Sequence, residues 1–143
     1  MIDGYEFKNF KLDYIYEAGK NQGVSFANQL WLDHPIFKSA RENILVENDL
    51  KEMVLSYSGW HWINKNPVLP FSPASIKQLD KIISPTLIIT GEKDIRDFQD
   101  IADVLHKNII QSSKKQIAGA GHMCNMENAN AFNSVVEDFL KII

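Results

Sequence analysis

The chain has a single cysteine, Cys124, among its 143 residues. One cysteine excludes an intramolecular disulfide and leaves no set of thiols for a metal cluster. No apolar run approaches the roughly 18–20 residues of a membrane span, so no membrane partner is implied. Positive charge is not in excess. Fifteen Lys and Arg stand against 18 Asp and Glu, a net charge of -3, which offers no footprint for nucleic acid. No Gly-rich loop closes on Gly-Lys-Ser/Thr, which disfavours a nucleotide phosphate site. His, Cys and carboxylates nowhere fall at ligand spacing, so neither a metal nor a cofactor is expected. The opening stretch Met1–Lys8 lacks the positive-then-apolar pattern of a signal peptide, and a cytoplasmic protein is the default expectation. Internal repeats and low-complexity segments are absent as well.

What is present is an ordinary globular composition, 45% hydrophobic and 23% charged, in a chain long enough for one real core. Apolar spacing predicts helices over Phe10–Lys20, Val24–Leu32, Ile36–Asn43 and Asn48–Tyr57. Asp33-His34-Pro35 stops the second, because a proline disfavours a helical residue before it. Asn64–Pro73, with Pro67, Pro70 and Pro73, reads as a crossing loop. A short helix over Ser75–Lys81 follows. Then the pattern changes. Thr86–Thr90 is a continuous, largely β-branched apolar run closed by Gly91, the signature of a parallel strand buried on both faces. Phe98–Lys107 reads as an amphipathic helix, Lys115–Ala118 as a second strand, and Asn128–Ile142 as a last helix with Phe132, Val135, Phe139 and Leu140 inward. Strand, helix, strand, helix is the grammar of a parallel sheet. Residues 1–80 thus read as a mostly helical region and residues 81–143 as an α/β segment. Two strands leave both sheet edges open, so the chain either borrows strands or belongs to a longer protein.

Each strand ends on a residue with chemistry. Asp94 follows the first and His122 the second, at the carboxyl ends where parallel sheets place their ligands. A carboxylate can hold an imidazole in one tautomer and stabilise its charged form, which makes the pair two thirds of a nucleophile–His–acid triad. The plain alternatives are a surface-loop histidine and a turn aspartate; Asp97 is the better N-cap for the next helix, which leaves Asp94 free. Gly119 and Gly121 serve backbone geometry. With no third glycine they are not a dinucleotide fingerprint.

No nucleophile completes the set. The strained G-x-S-x-G turn needs glycines on both sides of its serine. Ser25 has Gly23 before it but Ala27 after it and no strand ahead, Ser58 fits less well, and Cys124 stands only two residues past His122.

The second half resembles the C-terminal part of the α/β-hydrolase family. The resemblance rests on Ile83–Asp94, as the strand carrying the triad acid, and on Gly119–Glu127, as the strand end carrying the triad histidine. Gly91–Phe98 and His122–Glu127 look closest to the branch of 3-oxoadipate enol-lactonases and related esterases. The family inserts a helical cap before the penultimate strand, and residues 10–80 look like such a cap and its return crossing. The resemblance therefore implies an incomplete α/β-hydrolase fold: a cap, then a βαβα segment of a parallel sheet. The early strands, oxyanion loop and nucleophile turn would lie outside this chain. It implies hydrolysis of a small-molecule ester or lactone through an acyl-enzyme, with His122 as general base and Asp94 as its orienting acid. Trp31, Trp60 and Met123 are the expected substrate contacts, against the plainer reading of helix packing. Two alternatives stay open. One is a non-catalytic module that self-associates through the open sheet edge. The other is a part of an epoxide hydrolase or dehalogenase, which would use an aspartate nucleophile.

Overall fold

The computed structural model describes residues 3–65, 69 and 71–142. A helical layer comes first. It comprises α1 (Asp13–Gln22), α2 (Val24–Asp33), a 3-10 turn (Pro35–Phe37), α3 (Lys38–Arg41), α4 (Glu47–Leu55) and α5 (Trp60–Ile63). A 3-10 segment (Ser75–Lys81) leads to the α/β part: β1 (Thr86–Gly91), α6 (Arg96–Asn108), β2 (Ser112–Ile117), α7 (Cys124–Glu127) and α8 (Ala129–Leu140). Pro67 and Pro70 of the expected crossing loop lie outside the described residues.

The helical layer buries two apolar clusters. Leu32, Ile36, Phe37, Ala40, Val46, Leu50 and Val54 form one, and Ile15, Ala27 and Trp62 the other. Fully burying one such large side chain stabilises the fold by about 1.5–3 kcal/mol. Asn28 is buried between them with its amide satisfied. It donates to the Tyr57 carbonyl at 2.7 Å and accepts from Trp62 Nε1 at 2.8 Å, tying α2 to α5. A Cβ on Gly19 would lie 2.6 Å from Trp62 Cβ, so the glycine lets α5 sit against α1.

Some boundaries differ from the sequence pattern. The first helix starts at Asp13 rather than Phe10, because the backbone N–H groups of Lys8, Asn9 and Phe10 are bonded to Asp97 instead. Asp97 is accordingly not an N-cap: it lies inside α6, whose N-cap is Ile95. The predicted Ile36–Asn43 helix breaks into a 3-10 turn and the short α3, since Pro35 and the His34 cap set a tighter first turn. α5 was not foreseen; it begins from the left-handed Gly59, φ 67°, where a Cβ would strike Val24.

β1 and β2 pair in parallel, with Thr86 opposite Ser112 and Gly91 opposite Ile117. β2 begins three residues before the expected Lys115. Its outer residues are polar, so hydropathy marks only its end, while backbone pairing to Thr86–Ile88 extends it. β1 is not buried on both faces throughout: Ile88, Thr90 and Gly91 are buried, whereas Leu87 and Ile89 are half-buried. With two strands in the described sheet there is too little cover for both faces. The same holds for α8. Ala131, Phe132 and Val135 pack on Ile117, Ala120 and Cys124, but Leu140 is exposed and no residue of the helix is fully buried.

Candidate active site

The two strand ends are brought together by their backbones. Glu92 N–H donates to the Ile117 carbonyl at 3.0 Å, and Lys93 N–H to the Ala120 carbonyl at 2.8 Å. The Glu92 carboxylate in turn accepts from Gly119 N–H at 2.8 Å. A Cβ on Gly91 would lie 2.0 Å from the Gly121 carbonyl oxygen, so the loops can approach only with glycine there.

This contact delivers the pair. Asp94 Oδ2 lies 2.9 Å from His122 Nδ1, and its other oxygen accepts from Ile95 N–H at 2.7 Å. The Asp94 side chain is only 4% exposed and that of His122 is 29% exposed. A buried carboxylate facing one ring nitrogen fixes the tautomer, so His122 carries its proton on Nδ1 when neutral and presents Nε2 as a base. Phe98 packs against the imidazole with centroids 4.3 Å apart. Behind Phe98 stand Phe7 and Phe10 at 5.5 and 5.2 Å, held by the Asp97 clamp on Lys8–Phe10. The irregular N-terminal segment is thus the back wall of the histidine.

A cavity of about 300 Å³ opens on His122 from the helical layer. Trp31, Ile36, Phe37, Met53, Val54, Tyr57 and Met123 line it. Trp31 and Met123 of the expected contacts therefore stand at the histidine. Trp60 does not line this cavity; it is 45% exposed on α5. A larger cavity, about 770 Å³, runs between α3 and the loops at Lys93 and Gly119, and neither Asp94 nor His122 lines it.

None of the three nucleophile candidates is hydrogen-bonded to the pair among the described residues, although Cys124 shares a groove of about 200 Å³ with both Asp94 and His122. Ser25 and Ser58 are exposed on the helical layer. Cys124 is buried at the start of α7, and burial, with the Asp94 charge, pushes its thiol above the ordinary range. Among the described residues His122 is hydrogen-bonded to Asp94 alone. No group of three or more His, Cys, Asp or Glu could hold a metal among them either.

Sequence reasoning misassigned Asp97 as a helix cap and missed Glu127. Glu127 Oε2 accepts from Gly121 N–H at 2.9 Å and Oε1 from Met123 N–H at 3.2 Å. The available signal was spacing: a carboxylate five residues past His122, one short helix away, can fold back onto free N–H groups before it.

No protein-family model and no curated protein matches the sequence. Solved structures do. MenH from S. aureus superposes with a TM-score of 0.73 at 24% identity, over 91% of this chain and 50% of that one. The bromoperoxidase from Bacillus anthracis gives 0.65 at 21% identity, over 91% of this chain and 48% of that one. The chain spans about half the length of each. Both neighbours have the α/β-hydrolase architecture, and the fold of this chain is a partial α/β-hydrolase fold.

Proposed function

We propose that this chain is the acid–base arm of a nucleophile–His–Asp hydrolase, with residues 1–80 as its cap. The Asp94–His122 contact of 2.9 Å carries the reading, because a buried carboxylate on a half-open imidazole is the arrangement that a general base requires. In the reaction, His122 Nε2 takes the proton of a hydroxyl nucleophile supplied by other sequence as it attacks the ester carbonyl. The proton passes to the leaving alkoxide. His122 then deprotonates the water that attacks the acyl-enzyme and returns that proton to the nucleophile's oxygen as the acyl bond breaks, and Asp94 stabilises the imidazolium in both halves.

The substrate we infer is an ester or lactone whose apolar part fills the Trp31–Met123 cavity. Resemblance to the 3-oxoadipate enol-lactonase branch runs through Gly91–Phe98 and His122–Glu127. The described lining of the cavity is largely apolar, which supports an apolar acyl or alkoxy part. Nitrogen-15 NMR of the imidazole tests the couple. His122 should be the Nδ1–H tautomer in the native chain, and Asp94→Asn should shift it towards Nε2–H. A native Nε2–H ring would sink the reading. In a sensitive assay with p-nitrophenyl butyrate, the chain alone should show no turnover beyond that of His122→Ala.

A second reading, a self-associating module, is favoured by one observation. The outer edge of β1 is unpaired among the described residues and borders a groove of about 200 Å³ that Ile88, Ile89, Phe98 and Leu105 line together with Asp94 and His122.

A further inference from the structure

The loop that carries His122 is held from two sides. Glu92, beside the acid, holds Gly119. The other side is held by Glu127, whose carboxylate accepts the N–H groups of Gly121 and Met123, the residues immediately before and after the histidine. That same carboxylate accepts the hydroxyl hydrogen of Ser39 on α3, and the Glu127 carbonyl accepts from Asn43 Nδ2 at 3.4 Å. The approach is close enough to exclude a side chain at residue 121: a Cβ there would lie 2.6 Å from Ser39 Cβ and 3.2 Å from Glu127 Oε1.

We propose that Glu127 is a positioning residue that brackets His122 and ties its loop to helix α3 through Ser39. Two N–H groups flanking one residue, both bonded to a single charged acceptor, fix the backbone on either side of it. The side chain between them then has little freedom beyond its own rotamers. Charge-assisted bonds of this kind are roughly twice as strong as neutral ones. Because Ser39 shares the carboxylate, a displacement of α3 reaches the histidine directly. The helical layer then does more than wall the cavity: its position sets how His122 faces Asp94. This inference rests on the Asp94–His122 couple proposed above.

The tautomer ratio of His122, read from the nitrogen-15 shifts of its two ring nitrogens in the full chain, is the test. Glu127→Ala should lower the ratio of Nδ1–H to Nε2–H roughly tenfold, the effect of losing about 1.4 kcal/mol of orientation. Glu127→Gln, which keeps one acceptor oxygen, should restore part of the loss. Ser39→Ala should move the ratio the same way by a smaller factor. A Glu127→Ala chain that melts earlier but keeps the native ratio would make Glu127 merely structural and overturn the proposal. If Glu127→Ala fails to fold, an unchanged ratio in both Glu127→Gln and Ser39→Ala overturns it equally. Asp94→Asn separates the two readings. If it leaves the ratio unchanged, the acid–base couple fails and this inference falls with it. If it shifts the ratio and the Glu127 and Ser39 variants do not, this inference alone fails.

Discussion

At the scale of single residues, the glycines of the two strand ends decide whether the site can exist. Gly91 faces the Gly121 carbonyl with no room for a methyl group, and the obstacle is backbone rather than a flexible side chain. Gly91→Ala should therefore destabilise the chain by about 3 kcal/mol or more, measured by urea denaturation. Gly119→Ala is the control. Its φ of 72° disfavours a side chain, but nothing lies within 4 Å of the new Cβ, so about 1 kcal/mol is expected. Equal losses would refute the close-approach argument. Sequence reading assigned glycines 119 and 121 to backbone geometry. It had no means of ranking them against Gly91, since the ranking depends on which backbone arrives from the other strand. Asp94 and His122 were legible because each terminates a recognisable strand. Glu127 was not, because its partners Gly121, Met123 and Ser39 meet only after folding.

At the scale of elements, two buried titratable groups hold turns in place. Desolvation pushes the Asp97 carboxyl up, but the N–H groups of Asn9, Phe10 and Lys8 outweigh it and hold the group below the ordinary 3.8. A lowered folded value means that its stabilisation is fully present above 3.8 and is lost as pH falls through the depressed folded value. Asp97→Ala should cost about 3 kcal/mol at neutral pH, and its stability should fall less steeply below pH 3.8 than that of the native chain. A parallel acid limb in calorimetry would contradict this. His34 is the second such group. It is buried against Phe10 and Trp31, and its Nδ1 accepts from Ile36 N–H at 3.1 Å. Burial is the main cause that lowers its basicity from 6.5; a backbone hydrogen bond with Lys11 opposes it in part, and the nearby Arg41 charge adds to the lowering. Its contribution is thus complete above pH 6.5 and declines as pH falls from there towards the lowered folded value. His34→Asn, which keeps an acceptor for Ile36 N–H, should flatten stability across that window. Unchanged pH dependence would mean that His34 does not titrate with folding.

At the scale of the whole molecule, an unfinished sheet is the dominant physical fact. β1 has one described partner, and its far edge borders a groove in which Thr90 Oγ1 is the one buried side-chain polar atom without a partner among the described residues. Unpaired backbone and uncovered apolar surface both favour adding a strand. Light scattering should therefore give a mass that rises above 16.3 kDa with concentration. A constant mass of 16.3 kDa would rule out pairing between copies and leave the edge to another polypeptide.

The succession of a helical half and a parallel α/β half, and the placing of an acid and a histidine at two strand ends, were determined by local pattern alone, whereas the short α5 and α7 were not. Period, turn residues and strand-end placement are properties of short stretches, and short stretches can be read in isolation. Tertiary structure decided the rest. It made Asp97 a clamp on Lys8–Phe10 rather than a helix cap, and it put Trp31 but not Trp60 at the histidine cavity. It also set Glu127 around His122. Each of these depends on which distant N–H group, ring or carbonyl comes within a few ångströms. Separations such as the 89 residues between Lys8 and Asp97 leave no trace in local periodicity.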